Sequence, residues 1–258
     1  MLVYSCLILV TPCLGQSQDG LWSVHAVEKS MEMPAAGVLS NSFAGIHLRN
    51  DFCTKEMMMA EAAGQFVLQK NVLLASVNHY GYSGYGDLKL SFGYGRNFGD
   101  RFAMTARVFY LMAHARGYPT RHSLSVDFAF AYRTSPKLLF DAAIYNPFML
   151  RYGVVGQEVI PMKFSVGCAY KPVRKFLLSL TMSKVLPGSW EVDFRFMTQP
   201  MDPLLLEAGC SNHRLGLYIG WKHKHLLLSV SAGWYYRISV SPEIGCFYFF
   251  DKVLERRQ

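Results

Sequence analysis

His223 and His225 share one parity in a strand, so both imidazoles could reach a single zinc-type ion. They flank the Lys222–Lys224 turn, however, and read as a solvated turn. His122 and Ser123 have the residue types of a base and a nucleophile, but neighbours in a strand point to opposite faces and cannot pair. No GxSxG, HExxH, P-loop or GxGxxG stands in a usable context. Cys53, Cys168, Cys210 and Cys246 are widely spaced, without CxxC, and read as small hydrophobes. The residues therefore assign no catalytic group, cofactor or metal, and the chain is not read as an enzyme.

What remains is a set of ionisable side chains at alternate positions. Asp87, Lys89, Arg107, Asp127, Arg133, Asp141, Lys163, Glu191, Asp193, Arg195, Glu207 and Lys222 fall on the face opposite the apolar residues of their segments, the face expected to line a lumen. Their signs are mixed. A ring of one sign would select ions; a mixed set points to internal pairing or to contact with a plug.

These charges are positioned by strands, because the dominant pattern has a period of two. In Ser123–Arg133, Leu124, Val126, Phe128, Phe130 and Tyr132 share one face, and Ser125, Asp127 and Arg133 share the other. In Trp190–Phe196, Trp190, Val192, Phe194 and Phe196 oppose Glu191, Asp193 and Arg195. The same alternation recurs from Leu88 to Tyr236. Adding weaker segments near 43–49, 58–68, 71–80 and 243–250 predicts about fourteen strands, with roughly the 9–11 residues that a membrane-spanning strand needs.

The connections carry a second signal. Those expected at Gln69-Lys70, Asn97–Asp100, Thr134–Pro136, Pro172–Arg174, Pro200–Asp202 and Lys222–Lys224 are tight. Most of the others, such as Gly81–Gly86 and Asn146–Val159, are longer. Short turns at one end and longer loops at the other belong to a membrane barrel whose strand number is even. Tyr and Trp residues gather at strand ends, as in interfacial girdles. A β-sandwich domain needs about seven to nine strands in roughly 100 residues and would not impose this alternation.

The predicted fold is thus all-β: a transmembrane antiparallel β-barrel of about 14 strands with a short N-terminal plug segment. Residues 1–15 read as a signal peptide, although no Lys or Arg precedes its apolar run. Residues 16–42 read as a plug or periplasmic segment, 43–250 as the barrel and 251–258 as a periplasmic tail. Composition agrees. The chain is 51% hydrophobic and only 17% charged, yet it has no long apolar run beyond the N-terminus. Disorder is excluded by that balance. The net charge of +8 is scattered rather than blocked, and no nucleic-acid motif accompanies it.

Two stretches, Phe43–Met57 (FAGIHLRNDFCTKEM) and Tyr80–Phe102 (YGYSGYGDLKLSFGYGRNFGDRF), resemble a group of Bacteroidota outer-membrane barrels. That group is related to the FadL-type transporters of hydrophobic compounds and to the PorV/PorQ proteins of type IX secretion. The resemblance implies a bacterial outer-membrane barrel with an N-terminal hatch. It implies passive transport of a small hydrophobic molecule, or alternatively an accessory or scaffold role in a type IX secretion or surface-assembly system. The implied partners are outer-membrane lipid, and either a small hydrophobic ligand or a secretion-system protein.

Overall fold

A strand with one apolar and one polar face needs two different surroundings, and a single sheet with a free edge exposes unpaired backbone. Closing the sheet on itself meets both demands. In the computed structural model, which describes residues 42–99, 101–151, 159–236 and 239–250, fourteen antiparallel strands close into one barrel. They are β1 (Phe43–Asn50), β2 (Met58–Leu68), β3 (Asn71–Tyr82), β4 (Tyr85–Phe98), β5 (Phe102–Ala115), β6 (Arg121–Ser135), β7 (Leu138–Tyr145), β8 (Met162–Val173), β9 (Phe176–Leu186), β10 (Trp190–Met201), β11 (Leu204–Ser211), β12 (Arg214–His223), β13 (Leu226–Tyr235) and β14 (Val240–Phe249). The expected signal segment and tail lie outside the described residues, as does all of the expected plug except Ser42.

Each strand pairs with its sequence neighbours, and β14 pairs with β1 from Phe43↔Phe249 to Arg49↔Glu243. The ladder is continuous around the circumference. Its register shifts fall between Arg133 and Ser135, Tyr170 and Val173, and Thr198 and Met201, all at the tight-turn end.

The outward face carries exposed apolar side chains such as Ile46, Phe92, Val108, Leu217, Ile219, Val230 and Ile244. Left in water, so continuous an apolar belt would drive association; against lipid it is the expected surface. No helix among the described residues is long and apolar enough to cross a membrane.

One expected loop is much shorter than its sequence suggests. Gly81–Gly86 looked like an open connection, but Tyr82 pairs with Tyr85 and only Ser83-Gly84 turns. Gly81 makes this possible. Its φ is +116, and a Cβ there would sit on the Tyr85 carbonyl.

A second departure is on the inside. At the tight-turn end the inward face is apolar. Phe43, Leu139, Leu177, Met197, Leu205, Leu227 and Phe247 are almost fully buried. They belong to two arcs, one running over β1 and β8–β14, the other from β3 to β7. The apolar residues of this chain therefore serve two surfaces: the outer belt and an inner collar.

Candidate functional site: the barrel interior

Above the collar, the inner wall is polar, and cross-strand register decides which charges meet. Gly93, Arg107, Asp127, Tyr145 and Lys163 stand in one row across β4–β8. Arg107 Nη2 donates to Asp127 Oδ2 at 3.4 Å. The other oxygen of Asp127 accepts the Asn146 backbone N–H at 3.1 Å. The ring of Phe109, buried next to this row, carries Lys89 Nζ at 4.0 Å and Arg107 Cζ at 4.2 Å from its centroid. Each such cation–π contact, shielded from water, contributes on the order of 1–2 kcal/mol.

Across the lumen a second group centres on Arg195. Its Nε donates to Asp193 at 3.1 Å and its Nη1 to Glu207 at 2.9 Å. A third group spans the seam where the barrel closes. Arg214 on β12 meets Glu243 on β14 at 3.1 Å, Ser231 on β13 donates to the same carboxylate at 3.1 Å, and His47 on β1 lies 3.5 Å away. Arg49 on β1 pairs with Asp51 at 2.8 Å.

Glycines make room for these side chains. Gly93 stands opposite Arg107, and a Cβ there would press on the arginine stem at 3.4 Å. Gly209 does the same for Arg195 at 3.4 Å. Gly167 lies beneath the Asp141 carboxylate, and Gly233 beneath the Arg214 guanidinium. Charged side chains can thus lie flat along the wall instead of projecting into the lumen.

Two loops are anchored at the mouth, at the opposite end from the collar. Asp51–Cys53 form a single 3₁₀ turn with Phe52 at φ 59. The Phe52 N–H donates to Ser241 Oγ at 3.1 Å, and its ring meets inward-facing Tyr235 edge-on at 5.3 Å. The described ends of the β7–β8 connection are also anchored to the barrel wall and to each other. Ser123, on the inner face of β6, donates to the Arg151 carbonyl at 3.0 Å. Asn146 secures the loop base by donating to the Ile160 carbonyl at 2.7 Å and accepting from Leu150 N–H at 3.1 Å. β7 stands diametrically opposite β14 in the strand order. The two anchored loops therefore stand on opposite sides of the mouth.

Asp87, Lys89, Arg107, Asp127, Arg133, Asp141, Lys163, Glu191, Asp193, Arg195, Glu207 and Lys222 all lie on the inward parity of their strands, buried or half-buried. Lys89, Arg107, Asp127 and Lys163 belong to or adjoin the Arg107 row, and Asp193, Arg195 and Glu207 form the Arg195 group. Elsewhere, Asp87 accepts from Tyr85 OH at 2.7 Å, Asp141 lies over Gly167, and Lys222 Nζ lies 5.1 Å from the Phe249 ring centroid. Both signs occur in these groups. His47, Arg49, Glu61, Arg214 and Glu243 also face inward, although nothing in the sequence reading singled them out. β14 carries Pro242, Gly245 and aromatic residues on both faces, which hides the parity of Glu243. His122 and Ser123 point apart: His122 accepts or donates at Tyr110 OH, 2.6 Å away, while Ser123 holds the loop. Among the described residues no three His, Cys, Asp or Glu side chains gather as a metal site would require.

No protein-family model and no curated protein matches the chain. Solved structures do resemble it. The CymD monoaromatic hydrocarbon channel superposes with a TM-score of 0.64 at 9% identity, over 85% of this chain and 92% of that one. The shared fold is the closed antiparallel β-barrel. The toluene transporter TbuX of Ralstonia pickettii gives 0.63 at 11% identity, over 86% and 93% of the two chains. A Pseudomonas aeruginosa FadL homologue gives 0.64 at 8% identity, over 95% and 100%. At such identities the likeness is one of fold, and the inner wall of this barrel has to be read from its own residues.

Proposed function

We propose that the protein is an outer-membrane barrel that passes a small hydrophobic molecule. The observation that carries this reading is the inner collar. The interior of a membrane barrel is ordinarily polar, yet Leu139, Leu177, Leu205, Leu227 and Phe247 line one end of this one. A hydrophobic solute entering the mouth would cross the charged belt, whose cations and acids are paired side by side, and reach the packed apolar collar below it, whose side chains must part for passage. The barrel fold shared with a monoaromatic hydrocarbon channel and a toluene transporter supports the reading.

The continuous ladder confines the route to the lumen in this conformation, without the gap in strand pairing that a sideways exit requires. Ser42 stands at the tight-turn end, its carbonyl accepting Phe250 N–H and its hydroxyl accepting Val67 N–H, both at 2.9 Å.

The test is accumulation of a radiolabelled monoaromatic hydrocarbon by cells carrying the protein in their outer membrane. Uptake should exceed that of empty cells and fall in a Leu177→Asp, Leu205→Asp variant of normal abundance. Equal uptake by all three overturns transport. The continuous ladder would then favour the second reading, an accessory or scaffold barrel of a secretion or surface-assembly system, for which co-purification of a partner from solubilised membranes is the measure.

A further inference from the structure

The charge of the chain is not shared equally between the two ends of the barrel. The tight turns contain Lys70, Arg101, Lys137, Arg174, Lys175 and Lys224, all exposed, and their acids are only Asp100 and Asp202. At the mouth, among the described residues, the exposed charges are Lys55, Glu56, Arg116 and Arg151, while Arg49, Asp51, Glu191, Arg214 and Glu243 are buried or half-buried. Of the two exposed rims the tight-turn one is thus the more basic.

Two features indicate what faces it. The cations stand on the β2–β3, β4–β5, β6–β7, β8–β9 and β12–β13 turns, so they encircle the barrel. A docked protein would need a patch on one side; a ring fits something that surrounds the wall. Directly above the ring, the outward face carries Phe66, Phe98, Tyr132, Tyr170, Trp221 and Tyr248, all exposed. Arg96 lies 5.8 Å from the Phe98 ring, and Tyr248 packs on Phe250 at 5.3 Å. Aromatic residues over a band of lysine and arginine match the boundary between acyl chains and headgroups.

We propose that this rim binds the phosphate headgroups of anionic phospholipid in the leaflet that surrounds the tight turns. The proposal rests on the membrane reading above. One lysine or arginine close to an anionic surface favours it by about fivefold, and the effect fades with salt as the Debye length shortens.

Trp221 lies at the tight-turn end of β12 and Trp234 at the mouth end of β13, both outward and half exposed. Full-length protein that keeps only one of these tryptophans is refolded into phosphatidylcholine vesicles containing brominated phosphatidylglycerol or brominated phosphatidylcholine. Trp221 fluorescence should be quenched by the brominated anionic lipid with about fivefold selectivity, lost in high salt. Trp234 should show almost none. Lys224→Asn keeps the left-handed turn conformation at φ 51 and should reduce the selectivity at Trp221. Insertion with equal quenching by both lipids at Trp221, or equal selectivity at both tryptophans, overturns the lipid ring alone. Failure to insert, with no heat-shifted band on an unboiled gel, overturns the membrane reading as well.

Discussion

The carboxylate of Asp141 lies directly over Gly167 on the adjacent strand, so that a Cβ at position 167 would stand 2.6 Å from either oxygen. Asp141 is 5% exposed and cannot swing aside into water without leaving its place on the wall. Gly167→Ala should therefore destabilise the barrel by about 1–3 kcal/mol. Gly209→Ala, whose Cβ would meet only the Arg195 stem at 3.4 Å, should cost less. Urea unfolding of the two variants in lipid vesicles measures the order; equal costs would refute the close-approach account.

Asp127 links the charged row to the mouth, one oxygen on Arg107 and the other on the Asn146 N–H. Asp127→Ala removes both links and should make the β7–β8 connection a faster protease target. Asp127→Asn keeps an amide oxygen for the Asn146 N–H and should protect the loop more than Asp127→Ala does. Limited proteolysis with mass mapping around 146–161 distinguishes them.

Glu243 holds the closing seam through Arg214, Ser231 and His47. Glu243→Ala leaves a buried guanidinium short of a partner, so the temperature at which the unboiled band unfolds should fall. Arg214→Ala should do the same. The double variant should be less harmful than the sum of the two, with a coupling on the order of 1 kcal/mol. Additive losses would show that the pair does not act as a unit.

Leu217 is in the middle of β12, facing outward and 67% exposed. Leu217→Arg should cost about 2–4 kcal/mol if that position is at the bilayer midplane. An arginine placed at an exposed tight-turn position, as in Lys175→Arg, should be silent. Heat-modifiable mobility after refolding into vesicles reads both.

The legibility of this fold followed the regularity of its alternation. Ser123–Arg133 and Trp190–Phe196 each put acids and bases on one face, and both are inward-facing strands with those boundaries or slightly wider. The collar was less visible because it is built where alternation fails. Leu138-Leu139, Leu177-Leu178, Leu204–Leu206 and Leu226–Leu228 place apolar side chains on both faces next to a tight turn. Such doublets mark a strand that meets lipid outside and packing inside. The ion pairs were harder still, since pairing depends on register. No sequence spacing brings Arg214 to Glu243, two strands away and 29 positions later. The mouth loops were hidden for a different reason. Their anchoring depends on a left-handed Phe52 and on one serine of a strand face.

The pairing of Phe43 with Phe249 has a kinetic meaning too. Thirteen of the fourteen strand contacts join sequence neighbours, whereas this one joins residues about 200 positions apart, the contact with the highest loop-closure entropy and the slowest expected formation. The first strand must therefore wait, edge exposed, until the last has been made. Whatever shields β1 during that interval determines whether chains become barrels or aggregates, and Glu243 with its seam partners then acts as the latch.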